Sequence, residues 1–286
     1  MTRLLSILTI VIAIIVIWYA GAARMNAQWE YDQAERADKT VTFMEILPNT
    51  MAQERPILPA PHQVAEELWK TTVEKKITSK RSLVFHAWIT LSATLLGFAI
   101  GTGMGILLAV GIVHSRAMDM SVMPWAIASQ TIPILAIAPM IIVVLNSIGI
   151  QGLLPKAFIS AYLSFFPVVV GMVKGLRSPD RMQLDLLKTY NSSAPQSLLK
   201  LRLPASLPYL FASLKIGIAA SLVGAIVGEL PTGAVRGLGA RLLAGSYYGQ
   251  TVQIWSALFM AAIVAASLVA LVGVIQRLTL KKMGMS

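Results

Sequence analysis

The apolar stretches of this chain hold few groups able to do chemistry. Glu229 closes one such stretch in "GAIVGELP", two residues before Pro231 and with Arg236 and Arg241 nearby in sequence. A carboxylate there can line an outer gate, pair with an arginine, or stand in water at the interface; charge inside a span is expensive and by default marks function. Gln130 and Thr131 stand beside Pro133 in "SQTIP". They can offer hydrogen-bond groups to a polar solute near mid-membrane, or tie one helix to another. Lys215 lies near the inner end of its stretch, where a lysine can snorkel to water. No catalytic set can be assembled from the rest. There is no cysteine, and His62, His86 and His114 lie far apart in the chain. No paired carboxylates and no Ser/His/Asp arrangement appear, so neither a metal nor another cofactor is expected. The chain also lacks the G-x-x-x-x-G-K-[ST] loop that cradles ATP phosphates, so it is not expected to be an enzyme in its own right.

Those groups must be positioned by membrane helices. Of 286 residues 56% are apolar and 13% charged, against an ordinary ~45–50% and ~25%. The excess falls in runs of roughly twenty residues, enough to cross ~30 Å of hydrocarbon. Six spans are predicted, at about 4–23, 88–113, 122–145, 153–173, 209–230 and 254–275. With the N-terminus inside, the cytoplasmic pieces hold Arg3, Arg116, Lys174, Arg177, Arg181, Lys188, Lys200, Arg202, Lys215, Arg277, Lys281 and Lys282 against Asp119, Asp180 and Asp185. That asymmetry puts both termini and 174–208 in the cytoplasm. It also accounts for the net charge of +11 without nucleic acid as a partner. The first run, with Arg3 before it and "AGAA" after it, reads as a retained span or as a cleavable signal peptide.

The long outer loop, 24–87, opens with the mixed-charge run "QWEYDQAERADK" and continues into prolines expected to break any helix. Val64, Leu68, Trp69 and Val73 then recur at helical spacing. They predict a short amphipathic helix over 63–76, lying on the membrane surface or capping the bundle. Gly97, Gly101 and Gly105, with Gly224 and Gly228, form small-residue stripes of the kind that let helices approach closely in lipid. Pro124, Pro133 and Pro139 in the third span and Pro167 in the fourth predict kinks, which serve a transport path or simple bundle geometry.

The segment 174–208 is longer than a turn requires. Ser178 is a plausible N-cap, with Pro179 at the first helical position and Asp180 at the positive helix end. The helix should run through "DRMQLDLLKTY" and stop at Asn191, which tolerates the left-handed cap conformation. Ser193 and Gln196 then form a capping box around "SAPQ", opening a second helix expected to end before Pro204. Two capped helices, basic and partly apolar, suit a partner surface better than bulk water.

This elbow resembles the signature of binding-protein-dependent ABC importer permeases. That signature is E-A-A, a glycine six residues after the glutamate, and an apolar residue and L-P at sixteen, eighteen and nineteen. Asp185 falls at the glutamate, Leu186 and Leu187 at the alanines, Asn191 at the glycine, Leu201 at the apolar position, and Leu203 and Pro204 at the L-P. Asp keeps the carboxylate and Asn keeps the left-handed cap. "LPAPHQVAEELW" is similar to the outer P-x-P segment of the nitrate, sulfonate, taurine and pyrimidine-precursor subfamily, and "HAWITLSATLLGFAIGTGMGILLA", "QTIPILAIAPMIIVVLNSIGI" and "GELPTGAVRGLG" resemble, in order, its later blocks.

The resemblance implies an all-α, type I ABC importer permease fold of six transmembrane helices in a bacterial inner membrane. The N-terminal helix would occupy 1–23, the outer loop 24–87 and the permease core 88–280. Its partners would be cytoplasmic ABC ATPase subunits, a second permease copy or paired homologue, a periplasmic or lipid-anchored solute-binding protein, and membrane lipid. The elbow would be the coupling element that seats in the ATPase. A channel or secondary transporter driven by an ion gradient is the alternative, and would call for more intramembrane ionisable residues and an inverted repeat. An intramembrane enzyme is the other, and lacks a nucleophile or base.

Overall fold

Backbone inside hydrocarbon has no water to bond to, so each apolar run must satisfy its own N–H and C=O groups as a helix. The computed structural model describes residues 2–231 and 236–284, and its secondary structure is helical throughout. Four residues of the "GELPTGAVRGLG" block, 232–235, and the side chain of Arg3 lie outside that description. The described chain divides into two units, 1–86 with 240–261 and 87–239 with 262–286.

The first unit begins with α1, Thr2–Arg36. It runs well past the expected end at residue 23 and takes the mixed-charge run into the helix. Asn26, fully buried on α1, explains how the following loop folds back. Its Nδ2 donates to Thr50 O (3.0 Å) and Leu58 O (2.9 Å). Its Oδ1 accepts from the N–H groups of Ile57 (2.9 Å) and Leu58 (3.2 Å). All the amide's strong hydrogen-bonding positions are thereby met, as a buried polar group requires. The helix α2, Phe43–Thr50, contains Pro48, contrary to the expectation that prolines keep this loop free of helix; only one intrahelical bond is lost there. Helix α3, Pro61–Trp69, continues as a π turn over Lys70–Glu74, close to the amphipathic segment expected over 63–76.

In the second unit, α4 (Leu83–His114) enters from the loop. It is followed by α5 (Arg116–Ser129), α6 (Ile134–Ser147) and α7 (Leu153–Leu176). The elbow comprises α8 (Arg181–Thr189) and α9 (Ala194–Ser197), then a π turn over Leu198–Arg202. The chain proceeds directly into α10 (Leu203–Glu229); α11 (Leu238–Tyr247) and α12 (Thr251–Lys282) follow, with 240–261 belonging to the first unit and the rest to the second.

The expected third span is not one helix: α5 and α6 meet at 101°. Whether this pair crosses the membrane follows from its neighbours. A Cβ built at Gly97 would overlap Ser160 Cβ and come within 2.5 Å of Ala157 O; at Gly101 it would overlap Ser164 Oγ; at Gly105 it would sit 2.9 Å from Val168. Both sequence numbers rise together, so α4 and α7 run parallel. The chain between them must return across the bilayer. Packing agrees: Met118, Val122 and Met123 of α5 join the cluster of Ile112, Met172 and Leu176, while Ile134 and Ile141 of α6 join Ile159 and Val227 at the other end. The pair is a broken span, which with five unbroken helices gives six crossings among the described residues. Helix α10 runs antiparallel to α7, because Gly175 meets Ser206 while Gly228 meets Lys156.

Candidate functional site

The elbow is built largely by its caps. Helix α8 starts two residues later than the sequence suggests, with Asp180 rather than Ser178 as N-cap. Counted from Ser178, the third helical residue is Arg181, which cannot accept. Counted from Asp180 it is Gln183, whose Oε1 accepts from the Asp180 N–H at 3.2 Å. Ser178 instead donates to Gly175 O at 2.7 Å. At the far end Asn191 adopts φ 51°. Its N–H reaches Lys188 O at 2.9 Å, and that of Ser192 reaches Leu187 O at 3.0 Å. These are the two bonds of a Schellman cap. Gln196 Oε1 then accepts from the Ser193 N–H at 2.9 Å, opening α9.

The second elbow helix does not stop before Pro204; it is continuous with α10 through the π turn. A proline ring clashes with the carbonyl four residues back and supplies no N–H. The π turn over Leu198–Arg202 shifts the ladder by one residue just ahead of it, so the helix carries on.

The predicted elbow residues divide into two sets. Asp185, Leu186, Asn191, Ser193 and Gln196 are exposed, whereas Leu187, Leu201, Leu203 and Pro204 are half-buried. Leu203, with Leu198, packs on the cluster of Ile112, Met172 and Leu176 and so seats the elbow on the bundle. Asp185 pairs with Lys188 at 2.8 Å, both well exposed, a contact worth little by itself. Along α8, Met182, Leu186 and Tyr190 recur every fourth residue and are 84%, 56% and 76% exposed, so this side of the helix is apolar and uncovered. The sequence reading missed Arg202, whose Nη1 donates to Leu176 O at 2.8 Å and closes the end of α7. Its cationic side chain immediately before the L-P pair was the available signal.

At the break between α5 and α6, Gln130 and Thr131 are exposed. Thr131 Oγ1 donates to Ala128 O at 2.7 Å, and the Tyr162 hydroxyl donates to Ser129 O. Irregular backbone facing lipid is not tolerated at membrane depth. This face must therefore be covered by protein or line a water-filled path.

Thr90, Lys156 and Glu229 share the membrane end opposite the elbow. Glu229 is fully buried, so it is not a residue standing in interfacial water. Thr90 Oγ1 donates to its carboxylate, 3.0 Å from each oxygen, and itself accepts from the Leu238 N–H at 2.9 Å. Glu229 Oε2 accepts from the Gly239 N–H at 2.8 Å, and Lys156 Nζ lies 3.8 Å from Oε1. Gly237, at φ 124°, passes so close that a Cβ would overlap the carboxyl group. The carboxylate thus latches the ends of α4, α7 and α10 to the start of α11. Neither Thr90 nor Lys156 was identified from sequence, although a lysine inside an apolar run was a legible signal. Among the described residues no three His, Asp or Glu side chains gather as a metal site.

A family model described as "Binding-protein-dependent transport system inner membrane component" matches residues 101–285. The chain is 34% identical over 183 residues to a probable ABC transporter permease protein of Haemophilus influenzae, covering 64% of this chain and 69% of that one. It is 32% identical over 225 residues to a riboflavin transport system permease protein of Chloroflexus aurantiacus, covering 79% and 80%. A formylaminopyrimidine transport permease protein of Halalkalibacterium halodurans is 32% identical over 184 residues, covering 64% and 68%. The family match spans most of the helical bundle and the whole elbow, so the chain belongs to the binding-protein-dependent transport system inner membrane components, as a multi-pass permease of the ABC importer class.

Proposed function

We propose that this permease forms one half of a two-copy pore and takes its energy from a separate cytoplasmic ATPase that seats on the elbow. The observation that carries the reading is α8. An exposed apolar row, Met182, Leu186 and Tyr190, is held at a fixed angle by a Schellman cap and a capping box. Apolar surface held this rigidly suits a partner's cleft, because binding need not order it. The elbow lies in the cytoplasm, as the basic residues around it require, and both termini lie on that side of a bacterial inner membrane. A second copy, or a paired homologue, covers the break at Gln130 and Thr131, which then lines the path. Solute arrives on an external binding protein. Relatives are named for riboflavin, formylaminopyrimidine, aliphatic sulfonates and nitrate, and a small polar nutrient of this range is the cargo. The neutral amide and hydroxyl at the break favour an uncharged, hydrogen-bonding heterocycle within it.

The test uses backbone geometry at Asn191. Glycine takes φ near 51° freely, whereas a β-branched residue there is strained by about 1–3 kcal/mol. That is enough to displace α9 without unfolding the bundle. Asn191→Val should reach the membrane at normal abundance but co-purify poorly with the ATPase and lose solute-stimulated ATP hydrolysis. Asn191→Gly should keep both. If the two variants behave alike, the elbow's geometry does not carry the coupling.

A further inference from the structure

The segment that leads into α4 is sorted by side. On the inner side of α3 and its π turn, Val64 and Thr71 are buried. Between them Glu67 is partly buried; burial pushes its carboxyl above the usual range while Arg241 draws it back. On the other side Trp69 and Val73 are 61% and 57% exposed, and Ile77, in the turn that follows the helix, is 66% exposed. A face of this kind on a small helix normally points at a partner or at a membrane.

Charge is sorted too. The loop 24–87 carries acids and bases in equal number, yet 70–81 holds Lys70, Lys75, Lys76, Lys80 and Arg81 against Glu74 alone. Lys70 is paired with Glu66 at 2.6 Å. Lys75, Lys76, Lys80 and Arg81 are exposed and make no ion pair among the described residues. The turn bearing them is fixed. Ser79 N–H bonds to Lys76 O at 2.8 Å, Ser82 N–H bonds to Ser79 O at 3.0 Å, and a ring nitrogen of His86 lies 2.9 Å from Lys80 O.

Chain continuity says what this surface meets. Helix α4 begins at Leu83, and its length of about 48 Å exceeds the ~30 Å hydrocarbon core. That excess leaves room for its first turns to stand in the head-group layer, where exposed Trp88 is a fitting anchor. Lys80 and Arg81 precede that helix by two or three residues and cannot be far from the same layer.

We propose that 69–81 is a lipid-docking segment: Trp69, Val73 and Ile77 enter the interface, while Lys75, Lys76, Lys80 and Arg81 bind the anionic phosphodiester head groups of the bilayer around α4. The occupant is the membrane, because the segment is covalently bound to a spanning helix and its charge opposes that of acidic lipid.

The test places the full-length chain in nanodiscs of phosphatidylcholine with a minority of brominated phosphatidylglycerol, or of brominated phosphatidylcholine instead. The chain has six tryptophans, so the signal of Trp69 is taken as the difference between wild type and Trp69→Phe. Bromine on either lipid should quench it. The glycerol lipid should quench more strongly, by roughly twofold or more given several basic residues at the surface. That excess should vanish in the Lys75→Gln/Lys76→Gln/Lys80→Gln/Arg81→Gln variant, and in 1 M salt, where screening acts within about 3 Å. Absence of quenching, or an excess that survives the fourfold substitution, overturns the proposal. If Trp69 is unquenched and the same variant loses capture by the solute-binding protein, the surface docks protein instead of lipid.

Discussion

Glu229 is a carboxylate with no exposed surface, and such a group is retained only where several partners compensate for lost water. Thr90, Gly239 and Lys156 all contribute. Glu229→Gln keeps the shape but leaves Lys156, itself buried, without its carboxylate. Breaking such a pair from one side costs on the order of 3–5 kcal/mol, so this variant should unfold more readily in mild detergent and import less. Adding Lys156→Met removes the stranded charge and should restore most of the stability, with uptake following. If Glu229→Gln is as stable as wild type, the ion pair does not hold this junction. Sequence identified Glu229 as an expensive residue. It could not identify Lys156 or Thr90 as its partners, because they are 73 and 139 positions away and only helix packing brings them together.

The elements show how little of a helix's neighbourhood its own pattern reveals. Glycines 97, 101, 103 and 105 look alike along α4. A Cβ at Gly97 collides with α7, whereas one at Gly103 meets nothing within 4 Å. Gly97→Ala should therefore push α4 from α7 and destabilise the bundle by about 1–3 kcal/mol. Gly103→Ala should be neutral or slightly stabilising, since glycine within a helix costs roughly 0.5–1 kcal/mol relative to alanine. Unfolding of the two variants in the same detergent compares them directly, and equal effects would remove the close-approach argument. Prolines were also only half legible. The kink expected near Pro133 is a break of 101°, while Pro204, read as a stop, is carried through by a π turn.

For the whole molecule, the crossing number decides which side each loop occupies. Thr40 follows one crossing and Ser192 four, because α5 and α6 together count as one. The chain has no cysteine, so single cysteines at these positions report cleanly. Thr40→Cys should react with an impermeant thiol reagent from outside, and Ser192→Cys only from the cytoplasm. Were α5 and α6 a re-entrant pair, both would label from one side. Labelling of Ser192→Cys from outside would also remove the elbow from the ATPase's reach.

The sequence alone determined that this chain is a helical membrane protein, where its spans lie, and that Asn191 ends one elbow helix with a left-handed residue. These follow from local physics: hydrocarbon thickness sets the length of an apolar run, and steric limits at a single φ select the cap. Tertiary structure alone decided which of the elbow's apolar side chains face outward and which seat it on α7. It also decided that α4 and α7 run parallel, that Asn26 gathers the loop 50–58, and that Glu229 is latched rather than wet. Each of these depends on groups distant in sequence meeting at atomic contact, and the spacing of residues along one helix carries no information about the surface of another.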